Sequence, residues 1–193
     1  MVGNRIFDNG HEACNWVDFD SEQLLEDLVR QLAATGLERI ALVWPSVTAE
    51  THNGIQRLWK KSIRAHGLHL YEQFQPNLYS RKHFMAYAEY LYSSPERPQA
   101  VVCWSHYADE LAKFWAERNW RPVIISQTRA ESSNVLSIDI PYRDLAEAIR
   151  QVLEELLSGK PVAGIHKLIR HEISLQPRLE QMMKSIQSGE YKS

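Results

Sequence analysis

The chain has 193 residues, with 22 basic against 24 acidic side chains and a formal charge of −2. Hydrophobic residues make up 44% and charged ones 24%, which is enough apolar material to bury a core and excludes a mainly disordered chain. The balance of charge also excludes a free-standing nucleic-acid binder, because phosphate binding needs a surplus of Lys and Arg on one face. The length suits one domain, or two small lobes on one chain.

In chain order, Asp20 and Gln23 have the spacing of a capping box. Leu24, Leu25, Leu28, Val29 and Leu32 follow at helical spacing, and Gly36 offers a left-handed stop. Arg39 to Trp44 is a short apolar run closed by Pro45, the pattern of a strand covered on both faces. A helix is predicted near Asn53 to His66, with Ile55, Leu58, Trp59 and Ile63 on one side and Gly67 at its end. Leu68 to Phe74 reads as a strand, Ser80 to Tyr92 as a helix burying Phe84, Tyr87, Ala88 and Leu91, and Ala100 to Trp104 as a buried strand. A helix from His106 to Asn119 carries Leu111, Phe114 and Trp115 on one face, and Pro122 to Ile125 is the next strand. Val135 to Ile140 is a short extended piece, and Pro141 opens a helix to Ser158 whose apolar face is Leu145, Ile149, Val152, Leu153 and Leu156. The ends are less regular, with a weak strand at Ile6 and Phe7, a final strand at Glu172 to Leu175, and a polar helix carrying Met182 and Met183. This alternation predicts an α/β fold: a doubly wound parallel sheet of about five strands, plus pieces that belong elsewhere.

In such a sheet ligands bind beyond the carboxyl ends of the strands. The residues there are Trp44 with Ser46, Trp104 with Ser105 and His106, and Gln127 with Thr128. Two indoles beside hydroxyl and amide groups suit a small polar ligand with an apolar face, such as a sugar or nucleoside, although both indoles could instead only cover the sheet edge. The glycine-rich cradles of dinucleotide and P-loop sites are absent, so no cofactor is expected. No histidine or cysteine spacing fits a metal. Ser105, His106 and Asp109 resemble parts of a hydrolase triad, but neighbouring Ser and His rarely face each other, so catalysis by His106 and Asp109 is the lesser reading. Lys60, Lys61 and Arg64 read as a solvated helix face. Cys103, inside an apolar run, reads as a buried thiol in a reducing cytoplasm. No apolar stretch approaches the roughly 20 residues that cross a bilayer, and no signal-peptide core follows the start.

The order of these segments resembles the sensor domain of the LacI (lactose-repressor) family of bacterial transcription regulators. The residues that carry the likeness are Leu24 to Leu32 with Thr35 to Val43, Asn53-Gly54-Ile55 through His66-Gly67-Leu68, Pro98 to Asp109, Leu136 to Pro141, and Ile173 to Leu179. The resemblance implies a type I periplasmic-binding-protein-like fold that makes up a single partial sensor domain over 1–193. Residues 18–126 would build mostly the carboxy-terminal lobe, 141–158 a helix returning to the amino-terminal lobe, and 165–193 a closing strand and tail. It also implies a ligand that closes two lobes, DNA contact only through a helix-turn-helix headpiece missing here, and a homodimer. At the ligand positions the chain departs from the family pattern: Thr51 replaces an arginine, Ser105 and His106 replace Asn-Asp, and Thr128 replaces an aspartate. Loss of those charged partners leaves a sugar, a less polar ligand or a ligand-less interaction module open.

Three expectations follow. Trp44 and Trp104 flank one cleft; Ser105, His106, Gln127 and Thr128 point into it; and the face of helix Pro141 to Ser158 needs a partner surface, from a second copy or a missing lobe.

Overall fold

The computed structural model describes residues 15–44, 49–71, 81–103, 106–127, 129–158, 164–173 and 175–188. The first strand, β1, is Trp16–Phe19. It leads into α1, Ser21–Ala34, where the Asp20 carboxylate accepts the Gln23 N–H at 3.0 Å. Only half of the expected capping box forms, because the Gln23 side chain is used elsewhere. Leu24, Leu25, Leu28, Val29 and Leu32 are buried, and Gly36 takes a left-handed φ of 81° beyond the helix end. That backbone position suits a residue without Cβ.

The main sheet comes from one continuous stretch of chain. Its elements are β2 (Arg39–Val43), α2 (Ala49–Ala65), β3 (His69–Leu70), α3 (Arg81–Ser93), β4 (Ala100–Cys103), α4 (Ala108–Ala116), β5 (Val123–Ser126) and β6 (Val135–Ser137). The five strands lie in the order β3-β2-β4-β5-β6, and every pairing is parallel. The doubly wound parallel sheet predicted from the alternation is therefore present.

Period-two alternation divides the core into two layers. Ile40, Leu42, Val102 and Ile125 belong to one buried cluster with the apolar faces of α1 and α2 and with Leu179 and Met182 of α6 (Gln176–Ser188). Ala41, Val43, Val101, Cys103 and Ile124 belong to the other, with Phe84, Tyr87 and Leu91 of α3 and Leu111 and Trp115 of α4. Both faces are thus covered, which explains why the strands read as near-continuous apolar runs.

A second, two-stranded parallel sheet pairs β1 with β7 (His166–Ile169), in the register Trp16 to His166 through Phe19 to Ile169. Helix α5 (Tyr142–Leu157) packs on it through Ala148 and Val152, with Leu145 and Ile149 partly covered. Three segments connect this layer to the main sheet: Asp20 after β1, residues 138–141 before α5, and residues 170–175 after β7.

Several expectations need correction. Neither β1 nor β7 was predicted, and the strand expected at Glu172 to Leu175 is not one. Among its described residues the backbone is held by side-chain amides instead of a ladder. The Gln31 amide donates to the Ile173 carbonyl at 2.8 Å, and its carbonyl accepts the Leu175 N–H at 2.8 Å. Gln23 treats the His171 backbone in the same way, with both contacts at 3.1 Å. On α5, Leu153 and Leu156 are not buried but 52% and 41% exposed. Two strands about 4.8 Å apart are too narrow to cover the full apolar face of a helix about 10 Å across. The weak strand at Ile6 and Phe7 lies outside the described residues.

Candidate functional site

The strand order reverses between β2 and β4. From β2 the chain moves outward through α2 to β3, then returns through α3 to β4 on the other side. In a doubly wound sheet the crevice at such a switch point, beyond the carboxyl ends of the two strands, is where ligands settle. The chain following β2 and β4 borders this crevice, and the chain following β5 lies one strand away. Of the sequence-predicted site residues, the described Trp44, His106 and Gln127 lie in the chain that follows β2, β4 and β5 respectively.

Their individual placement differs. Trp44 directly follows β2 but is 4% exposed and belongs to the same buried cluster as Ile55 and Trp59 of α2. Thr51 lies on the first turn of α2, with its side chain outside the described set. His106 stands exposed in the turn before α4, its ring 3.9 Å from that of Tyr107, which in turn lies 4.7 Å from Phe84. Gln127 follows β5 and is half-buried. Ser46, Trp104, Ser105 and Thr128 lie outside the described residues, and with them the pairing of the two indoles across one cleft.

Asp109, on the first turn of α4, is fully engaged by the loop between β5 and β6. Its carboxylate accepts the Ser132 N–H at 2.9 Å and the Glu131 N–H at 3.1 Å. Burial alone would raise its pKa, but hydrogen bonds from Ser132 and Glu131 outweigh that and hold it below the usual range. Among the described residues, no group of three or more His, Cys, Asp and Glu could hold a metal ion. No helix of the described residues is long and apolar enough to cross a membrane.

Sequence reasoning missed the groups around the connecting segments. His171 is 3% exposed, lies 5.1 Å from the Phe19 ring, and has neither ring nitrogen hydrogen-bonded within the described structure. Burial pushes its pKa down, opposed by the Asp20 charge. Gln23 and Gln31 sit two helical turns apart on one side of α1, and that spacing was the only signal in the sequence for their joint role.

No family model matches the chain, and no curated protein is similar to it in sequence. Solved structures are similar in fold. A LacI transcriptional regulator from Bacillus cereus subsp. cytotoxis is 14% identical, with a TM-score of 0.71 over 89% of this chain and 64% of its own. The transcription regulator CcpA of Lactococcus lactis is 20% identical, with a TM-score of 0.67 over 90% of this chain and 66% of its own. The transcriptional regulator CelR, solved with cellobiose, is 16% identical, with a TM-score of 0.65 over 90% of this chain and 56% of its own. The chain thus spans between 56% and 66% of the lengths of these three structures. At these identities the likeness is one of architecture, and the chain has the periplasmic-binding-protein-like fold of LacI-family transcription regulators.

Proposed function

We propose that this chain is the effector-sensing part of a LacI-type transcription regulator and a binding protein, not an enzyme. The observation that carries the reading is the topology. A five-stranded parallel sheet with one switch point is joined by three segments to a second parallel layer of β1, β7 and α5. A small polar ligand at the carboxyl edge would touch both layers, and its preference for one arrangement would be the signal. The contacts we assign to it are Ser46, Thr51, Trp104, Ser105, His106, Gln127 and Thr128, whereas Trp44, whose indole is packed in the core, is left out. Support for a sugar-like ligand comes from the CelR structure, which holds cellobiose. Against catalysis, the carboxylate that would complete a triad with His106 is turned to the amides of Glu131 and Ser132.

In this reading the protein acts in the cytoplasm as a homodimer. DNA binding resides in a helix-turn-helix headpiece outside the present sequence. A melting-temperature screen against sugars, nucleosides and amino sugars tests the reading. The expected result is a concentration-dependent rise with at least one class, lost when His106 and Gln127 are both changed to alanine. A screen in which no compound raises the melting temperature would favour a ligand-less interaction module of the same fold.

A further inference from the structure

The three segments that connect the two layers meet around a pair of rings. Strand β6 runs parallel to the rest of the main sheet, so residues 138–141 leave from its carboxyl edge, the edge of the effector crevice. Phe19, at the end of β1, has its ring centroid 5.1 Å from that of His171 in the third connection. The same ring meets Tyr142, at the start of α5, edge-on at 6.0 Å. Asp20 accepts the Gln23 N–H of α1 at 3.0 Å and stands 3.9 Å from Arg170, while the Gln23 side chain holds the His171 backbone.

His171 is 3% exposed, and neither of its ring nitrogens has a hydrogen-bond partner within the described structure. The bland explanation is a core histidine serving as a flat filler. A neutral imidazole, however, carries one N–H donor and one acceptor, and a buried polar side chain normally has at least one such atom paired. The charged form is placed worse still. Around the ring the titratable and charged groups are Asp20, Asp27 through its bond from Gln23, Tyr142 beyond Phe19, and the chain neighbours Arg170 and Glu172. Asp20 favours the imidazolium, but burial outweighs it and pushes the pKa below the ordinary 6.5. The Phe19 face, tilted by 49°, offers a cation some attraction and no acceptor. Neither water nor Asp20 is within hydrogen-bond reach, so a charged ring gains partners only by leaving its place beside Phe19.

We propose that His171 is a proton-operated pivot: once charged, it carries the third connection away from Phe19, and the layer of β1, β7 and α5 turns relative to the main sheet. The turn occurs on the acid side of neutrality, as the pH falls through the lowered value of the buried imidazole. This deepens the effector reading, on which it rests in giving the two layers more than one arrangement.

Residual dipolar couplings of the isotope-labelled full chain, with no ligand added, test it, because they report the angle between the two layers. On titration from pH 7 to pH 5 that angle is expected to shift, with the same midpoint as the ring resonances of His171. The shift is expected to be lost in His171→Phe and in His171→Gln. An unchanged angle at pH 5 overturns the proposal, as does a shift whose midpoint differs from that of His171 or one that persists in either folded variant. Unfolding of the wild type by pH 5 without a preceding shift overturns it as well. Should neither variant fold, the comparison of midpoints in the wild type still decides. An unchanged angle leaves the effector reading standing, and a ligand screen without hits leaves the pivot standing.

Discussion

His171 sits where β7 gives way to the segment that returns to α6, buried beside Phe19 and within reach of the Asp20 charge, which is itself 3.9 Å from Arg170. Because burial lowers its pKa from the ordinary 6.5, the unfolded chain takes up a proton more readily than the folded one. Stability is then full above about pH 6.5 and declines as the pH falls through the lowered folded value. Urea midpoints at pH 7 and pH 5 should drop more in the wild type than in His171→Leu, and equal drops would refute the assignment. Asp109 gives the opposite kind of residue-scale test. Asp109→Ala leaves the amides of Glu131 and Ser132 unpaired, and since these reach solvent the expected loss is about 1 kcal/mol by denaturant unfolding. Neither role was legible in the sequence. Asp109 was weighed there as a partner for His106, because adjacency along the chain is visible and a contact across 23 positions is not.

At the scale of elements, the sequence carried the main sheet almost in full, since each strand is buried on both faces and each helix presents one apolar stripe. It failed where pairing partners are distant or are side chains. His166-Lys167-Leu168-Ile169 alternates polar and apolar residues and pairs as β7, whereas the more apolar Ile173 and Leu175 invited a strand that does not form. Gln31 takes the place of a neighbouring strand for that segment. Gln31→Ala should therefore lower unfolding stability by about 1 to 3 kcal/mol, because Leu175 is buried and its N–H would lose its acceptor. A change within 0.3 kcal/mol of zero, roughly the effect of a neutral surface substitution, would mean that water replaces the amide freely. The candidate site was legible only as an edge of the sheet. Trp44 was read as an open stacking face because it ends a strand, but the cluster under α2 takes up its indole.

At the scale of the whole molecule, the exposed large hydrophobics among the described residues other than Tyr142 are Leu153, Leu156 and Leu157 of α5, and Leu168 of β7, which faces away from α5 because Lys167 and Ile169 on either side of it face the helix. Leu157 is 85% exposed and Leu168 52% exposed. The strip formed by the three α5 leucines is the expected contact of the proposed homodimer. Sedimentation at micromolar concentration should show a dimer for the wild type and a monomer for Leu153→Glu combined with Leu157→Glu. A monomeric wild type would remove that contact. The layer beneath the strip has a history as well as a surface. Asn15 accepts the Ile165 N–H at 2.8 Å across 150 positions, whereas the main sheet closes within Arg39 to Ser137. On a ribosome, the five-stranded sheet can therefore assemble while β1 still waits for β7 to be synthesised. Closing so long a loop is slow, and the contacts it gains are few. Refolding followed by pulsed hydrogen exchange should protect the amides of β2, β4 and β5 first and those of β1 and β7 last, in the reverse of the order in which they open. Of these strands, the one translated before the others would be among the last to fold.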